Sequence, residues 1–529
     1  MQKLNTKRTI LTGLAFLSIC TFWQIYDSII PLILKEGFAI GDTLSGVIMA
    51  LDNVLALFLL PLFGALSDKC RSRHGRRTPF IFFGTVIAAV ALVLLSMPDN
   101  AQLKNLSAVE ATEGAAYTET LDALWEANPN IRLEAKSTDH KSFGEIMQDI
   151  NPFRGDRKQP LQSLIGEEEF KAITPDDAEN YAAYVVPARQ AYASSVTLAH
   201  PAPLVAFICI LLLLLVAMGT FRSPAVALMP DVTIKPLRSK ANAVINLMGA
   251  AGGVIVLGLG MVLGTGKATN ALMSYTLFFG IIAGIMLFSL ALFLWLVREP
   301  RWAAEMQEES VRLGLEEKEE DGSGDRRLTP SERRSLLLIL ASVVLWYTGY
   351  NAVTSKYSVY AGSVLNMDYN ATLIIANAAA IVSYIPIGIL SSKFGRKKMI
   401  LAGVVILAGS FFTASFLRAG SPVMLMNLLF ATAGIGWATI NVNSYPMVVE
   451  LSRGGNVGKY TGYYYTASMA AQVITPILSG VFLDIRFTTL FPYATFFVAA
   501  AFLTMLFVRH GDAKPEAKAT VLDGIGGGD

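Results

Sequence analysis

The chain has 529 residues, of which 53% are hydrophobic and only 16% charged, against roughly 25% charged in an ordinary soluble protein; that balance excludes a large water-soluble enzyme. Its 43 Lys and Arg against 41 Asp and Glu give a formal net charge of +2, so no bulk field favours nucleic acid as a partner. The apolar residues arrive in runs of about 20, the length that crosses hydrocarbon at about 1.5 Å per residue.

In chain order the runs lie near 10–34, 44–66, 79–97, 203–221, 240–264 and 271–297, then 336–358, 371–391, 399–417, 422–449, 461–483 and 489–508. The first extends through Pro31 without a small-residue cleavage pattern, so it reads as a retained span rather than a signal peptide. The predicted fold class is all-α: a polytopic membrane protein with twelve transmembrane helices in two six-helix bundles. The predicted division is 1–97 for the first three helices, 98–200 for an acidic insertion, 201–297 for helices four to six, 298–335 for a connector, 336–508 for the second bundle and 509–529 for a tail. Cys20, Cys70 and Cys209 lack paired spacing and lie far from any His, so neither a disulfide framework nor a metal site is expected.

Basic clusters follow the second run (Lys69, Arg71, Arg73, Arg76, Arg77) and the eighth (Lys393, Arg396, Lys397, Lys398), which places both loops in the cytoplasm. An even number of spans then leaves both termini inside, in keeping with Lys3, Lys7, Arg8 and Arg509. The 98–200 segment falls outside and carries 17 acidic against 9 basic residues. Removing it leaves a positive remainder that the whole-chain balance conceals. Tyr117, Trp125, Phe143, Phe153, Phe170, Tyr181 and Tyr184 supply enough aromatic surface for it to fold, as a solvated cap or as a contributor to substrate selection or partner contact. In the connector, Trp302, Met306, Val311 and Leu313 suit a short interfacial helix, DGSGD a break, and Thr329, Pro330 and Glu332 a helix start. GIGGG near the end suits a mobile tail.

The segment GALSDKCRSRHGRRTPF (64–80), between spans two and three, resembles the signature cytoplasmic loop of the major facilitator superfamily, and GILSSKFGRKKMI (388–400) repeats a shortened version between spans eight and nine. With Arg71, Arg73 and GRRTPF, and with FRSPAVALMPDVTIKPLRSKANAVINLMG (221–249) after span four, the chain resembles sucrose transporters and the wider glycoside-pentoside-hexuronide:cation symporter group over all twelve spans. Asp68 is placed to accept hydrogen bonds from Arg76 or a neighbouring helix end, and Gly64 and Gly75 permit close packing and a sharp path. Asp68, Arg76 and Arg77, with Asp231, Arg238 and Lys240, are therefore expected to gate rather than bind substrate; the resemblance implies that such charges stabilise an outward-facing arrangement. Ser392 stands where Asp68 does in the first copy, and Glu450 and Arg453 after span ten are the expected replacement polarity.

Carboxylates within spans are costly unless they meet water, a cation or a proton. Asp52, near the middle of span two, is expected to be a coupling or substrate-binding group or half of an internal pair; Asp27, nearer the outer end of span one, shares those readings. Lys356 in span seven is matched by depth to Asp27, as a gate between halves or a structural bridge. Phe22, Trp23, Gln24, Tyr26 and Asp27 in span one and Trp346, Tyr347, Tyr350, Asn351 and Lys356 in span seven combine aromatic faces with polar tips suited to binding a carbohydrate. Asn53, Asn377, Asn441, Asn443 and Gln472 add directional donors and acceptors, for substrate or for helix packing. Tyr445, Tyr463, Tyr464 and Tyr465 suit interfacial anchoring.

His74, His140, His200 and His510 all fall outside the spans, which disfavours an intramembrane histidine relay. The expected function is a secondary active transporter importing a sugar or glycoside with protons by alternating access, in a bacterial cytoplasmic (inner) membrane. Sodium-coupled transport, or another small solute on the same fold, is the other reading. The resemblance to sucrose transporters favours the proton, and sodium coupling occurs elsewhere in the wider group. No enzymatic constellation appears: there is no phosphate-cradling loop, zinc cluster or ordered Ser/His/Asp set. No cofactor or metal is expected, the partners are the sugar substrate and membrane lipid but not nucleic acid, and a monomer is expected to suffice.

Overall fold

The computed structural model describes residues 5–129, 131–134, 158–234, 238–312, 328–452 and 457–512. Phe143, Phe153, His140, Leu313, the DGSGD break, Arg453 and the GIGGG tail lie outside the described residues.

Continuous apolar sequence forms helix because in hydrocarbon every backbone polar group must be satisfied within its own segment. Helix α1 (Thr6–Ser28) continues through Ile30–Leu32 and a wider turn over Ile33–Gly37. Then come α2 (Asp42–Lys69), α3 (Thr78–Leu94) and α4 (Ser96–Asn105), the last carrying the third span past residue 97. After α5 (Gly114–Ala127), strands β1 (Arg132–Glu134) and β2 (Lys158–Pro160) pair antiparallel with Leu133 opposite Gln159. This ribbon is the one departure from all-α among the described residues. The segment ends with α6 (Val186–Ala199).

The next helices are α7 (Ala202–Asp231), α8 (Arg238–Leu263), α9 (Thr276–Leu296) and α10 (Glu299–Arg312). The second half of the chain holds α11 (Pro330–Tyr360), α12 (Tyr369–Phe394), α13 (Arg396–Ala414), α14 (Val423–Val449), α15 (Val457–Ile485) and α16 (Leu490–Leu506). The expected start at Thr329 forms a capping box with Glu332, with Pro330 in the first turn, which satisfies otherwise orphaned amide groups. Helix α7 continues through RSPAVALMPD (222–231), which the hydropathy pattern had left outside span four.

Among the described residues ten helical segments are long and apolar enough to cross a membrane, and shorter apolar stretches occupy Leu247–Leu263 of α8 and Tyr369–Tyr384 of α12. The chain is a multi-pass membrane protein. In the first half α1 packs on α8 and α9, and α7 packs on α2 and α3; in the second, α14 packs on α12 and α13, and α16 on α11 and α13. Among the pairs that cross between the halves are α2 with α15, α8 with α12, and α1 with α11.

The acidic segment builds its own apolar core, in which Tyr117, Leu121, Leu124, Leu161, Phe170, Tyr181 and Val185 are buried together with Leu272 from the loop before α9. Burial holds the Tyr117 and Tyr181 phenols above their usual range; the first donates to Ile173 O at 3.0 Å, and the second accepts from Arg189 at 2.7 Å. The segment is tied to the end of α1 by Gln190 Nε2 donating to Glu36 at 3.0 Å and Gln102 Nε2 donating to Gly37 O at 3.0 Å.

Candidate functional site

On α1, Cys20, Trp23, Gln24 and Asp27 recur at helical spacing and share a face. Asp27 and Asp52 lie within electrostatic range of each other, and both lie within range of Arg222 on α7. Arg222 also sits 4.8 Å from the ring centre of Trp23, in cation–π geometry. Asn53 Nδ2 donates to Asp52 Oδ1 at 2.7 Å. The Tyr26 hydroxyl lies 3.2 and 3.1 Å from the carbonyls of Ile48 and Met49, binding α1 to α2 beside the two carboxylates. Gln24 Nε2 donates to Ser28 Oγ at 2.8 Å. The first half thus concentrates two carboxylates and one guanidinium in an apolar setting, where their mutual charge is weakly screened.

Across the interface, Tyr350 on α11 lies within electrostatic range of Asp27. Its ring stacks on Trp437 of α14 with centroids 3.7 Å apart and planes 3° from parallel, while Tyr347 meets the same indole edge-on at 5.1 Å. Trp23 Nε1 and Asn351 Nδ2 are buried donors with no partner among the described residues. Such donors cost free energy until something accepts from them. Asn443 Nδ2 donates to Thr439 O at 2.8 Å and Gln472 Nε2 to Ser468 O at 3.3 Å; these are bonds within one helix, as in the packing reading. Asn377 on α12 and Asn441 on α14 are half-buried. The structure therefore brings Trp23, Tyr26, Asp27, Asp52, Asn53 and Tyr350 together. Sequence reasoning missed Arg222 and Trp437: Arg222 falls one residue past the expected end of span four, and Trp437 looks like any aromatic residue in an apolar run.

Lys356 does not meet Asp27. Its ammonium donates to Asp42 O at 3.3 Å and Ser45 Oγ at 3.1 Å and stands 3.9 Å from the Asp42 carboxylate. Matching by depth fails because α2 begins beside α11 and brings Asp42 to the lysine first. Asp42 is shared with Lys35 at 2.7 Å, and Asp484 of α15 accepts from the Asp42 and Thr43 amides at 2.5 and 2.8 Å and from the Thr43 hydroxyl. The halves are joined here at the end opposite the basic loops. Gly46 and Gly480 permit the approach: a Cβ at Gly46 would lie 2.0 Å from Pro476 O, and one at Gly480 2.4 Å from Asp42 O.

At the basic end, Asp68 pairs with Arg77 at 2.5 Å rather than with Arg76. Arg76 instead grips both oxygens of Asp231, at 3.1 and 2.5 Å, and Arg77 Nε joins it at 2.8 Å. Glu299 accepts from the Arg77 and Thr78 amides at 2.9 and 2.8 Å, closing the N-terminus of α3. Gly75, with φ at +111°, lies where a Cβ would strike Glu299 at 2.3 Å. Arg301 and Arg8 hold the Glu305 carboxyl below its usual range. In the second half Glu450 pairs with Arg396 at 3.1 Å. Arg238 begins α8, and Arg453 lies outside the described residues.

Two stretches match family descriptions: residues 18–110 match "MFS/sugar transport protein" and residues 372–523 match "Major Facilitator Superfamily". Over 135 residues the chain is 30% identical to the proton-associated sugar transporter A of Homo sapiens, covering 26% of this chain and 17% of that protein. Over 94 residues it is 28% identical to the putative glycoside/cation symporter YagG of Escherichia coli (strain K12), covering 18% and 20%. The chain thus spans about a fifth of the length of the curated relatives it matches. The solved inward-open xylose transporter XylE of E. coli shares the fold over 98% of this chain and 97% of that one, with a TM-score of 0.52 at 14% identity. With a matching stretch in each half and one fold shared through both, the chain is similar to members of the major facilitator superfamily.

Proposed function

We propose that the protein is a secondary active transporter that carries a sugar or glycoside inward with protons, by alternating access between two six-helix bundles. Twelve spans result when the shorter apolar stretches of α8 and α12 are counted with the ten longer segments. Residues 1–97 and 201–297 then form one bundle and 336–508 the other. Residues 98–200 are an outer insertion, 298–335 a cytoplasmic connector and 509–529 a cytoplasmic tail. The basic loops set both termini inside a bacterial cytoplasmic membrane, and the monomer is the working unit, with no nucleic-acid partner.

The observation that carries this reading is the cluster of Asp27, Asp52 and Arg222 in one half facing the Tyr350–Trp437 stack in the other. Stacked aromatic faces cover the apolar side of a sugar ring, and the unpartnered donors on Trp23 and Asn351 suit its hydroxyls. Asp52, held by Asn53, is the coupling carboxylate, with Asp27 beside it. Asn377, Asn441, Asn443 and Gln472 line the second half of the path, and Lys356 belongs to the outer gate with Asp42 and Asp484. Asp68, Arg76, Arg77, Asp231 and Arg238 form the inner gate of the first half, and Glu450 and Arg453 that of the second. The sucrose-transporter branch is favoured by the extended loop 64–80, and proton coupling by the name of the human relative.

The glycoside/cation symporter relative supports a second reading, in which Asp52, Asn53 and backbone carbonyls hold sodium. Initial uptake of a sugar panel in sealed proteoliposomes, with pH and sodium gradients varied separately, decides between them. Concentrative sugar uptake driven by an inward proton gradient is expected. Uptake that follows sodium alone transfers the coupling to that ion, and no sugar uptake across the panel ends the carbohydrate reading.

A further inference from the structure

Helix α11 carries an exposed face bordered by Leu338, which is half-buried and packs against the main apolar core. Pro330, Arg333, Arg334, Leu337, Leu338 and Ala341 recur at helical spacing and line a shallow cleft of about 580 Å³ at the basic end of the molecule. Arg333, Arg334 and Leu337 are exposed, Leu337 at 59%. The opposite side of the same two turns is engaged: Ser335 Oγ accepts from the Arg509 and His510 amides at 3.2 and 3.3 Å, and Ser331 meets His510 at 2.9 Å. Glu332, the adjacent acid, turns its Oε2 back to the Thr329 amide and hydroxyl, both at 2.9 Å. Among the described residues no carboxylate pairs with either arginine.

We propose that this cleft is a binding site for an anionic phospholipid, with Arg333 and Arg334 on the phosphate and Leu337, Leu338 and Ala341 along an acyl chain. The guanidinium fork matches a phosphate diester's oxygens. Leu337 and Leu338 one turn further along the helix, and Ala341 two turns along, place apolar surface about 5–10 Å deeper, as a lipid requires. A soluble phosphate has no use for that wall, and an apolar peptide has none for two arginines that no described carboxylate pairs. The leaflet, the cytoplasmic one, follows from the proposed orientation; the headgroup chemistry does not depend on it, nor on what is transported.

The full chain is reconstituted in phosphatidylcholine with or without phosphatidylglycerol, and the lipids it retains are read by native mass spectrometry. Preferential retention of phosphatidylglycerol is expected, reduced about tenfold in Arg333→Ala/Arg334→Ala and only partly in Arg333→Lys/Arg334→Lys. Leu337→Asn, which leaves both arginines and their fold in place, is expected to weaken retention as well. Equal retention by the parent and both Ala and Asn variants overturns the proposal. Displacement of the lipid by millimolar inorganic phosphate reassigns the site to a soluble anion. If the parent retains no phosphatidylglycerol until Glu316, Glu317, Glu319, Glu320 and Asp321 of the connector are neutralised, the occupant is the chain's own acidic stretch and the lipid reading falls.

Discussion

Arg222 is the residue on which the buried charge of the first half turns. Two carboxylates and one guanidinium share its surroundings, all three half-buried, so removing one member is expected to cost on the order of 1–3 kcal/mol, less than for a fully buried set. Arg222→Ala is therefore expected to lower thermal stability in detergent by that order. Arg222→Lys keeps the charge but loses the planar contact with Trp23, so it is expected to recover most of the stability and little of the transport. Unchanged melting of the alanine variant would remove Arg222 from the cluster. Asp52→Asn keeps the shape and the contact with Asn53 but cannot take up and release a proton. It is expected to cut gradient-driven accumulation about tenfold while sparing equilibrium exchange of substrate across the same vesicles. Identical accumulation in parent and variant excludes an essential titration at Asp52.

At the scale of elements, the proposed alternating access turns on how α2 and α15 meet. Their closeness rests on two glycines packed against backbone carbonyls, and backbone, unlike a flexible side chain, does not yield to an added methyl group. Gly46→Ala is therefore expected to push the outer ends apart and weaken the joint of Asp42, Lys356 and Asp484. Spin labels at Leu44 and Ile485, both exposed near those ends, are expected to report a longer distance in the variant. Gly258→Ala on α8, where an added Cβ meets nothing within 4 Å, serves as the control and is expected to leave the distance as it was. Equal distances in the Gly46→Ala variant and the parent would mean that this contact does not hold the outer end. The same packing explains which pairings were misread. Asp27 and Lys356 match in depth, but depth along a helix says nothing about rotation around it, and Asp42 reaches the lysine instead. Arg76 and Arg77 are neighbours with opposite exposure, so Asp68 meets the buried Arg77.

At the scale of the whole molecule, the proposed orientation rests on the asymmetry between an acidic segment at one end and basic loops at the other. After replacement of Cys20, Cys70 and Cys209 by serine, a single cysteine at Glu168 in the acidic segment is expected to react with a membrane-impermeant maleimide in right-side-out vesicles. One at Arg73 is expected to react only after permeabilisation. The reverse pattern would invert the topology and move both gates to the other face.

The sequence by itself determined the membrane setting, the run of helices and the two related basic loops, because hydropathy, helix starts and loop charge are local properties that each segment carries alone. The capping box at Thr329 and the half-buried carboxylates of α1 and α2 were legible for the same reason. Only the tertiary structure decided that Arg222 stands with Asp27 and Asp52, that Trp437 lies against Tyr350, and that Asp42 and Asp484 rather than Asp27 hold the halves together at Lys356. Those are contacts between helices far apart in the chain, set by which faces the packing turns toward one another, and no local pattern contains that information.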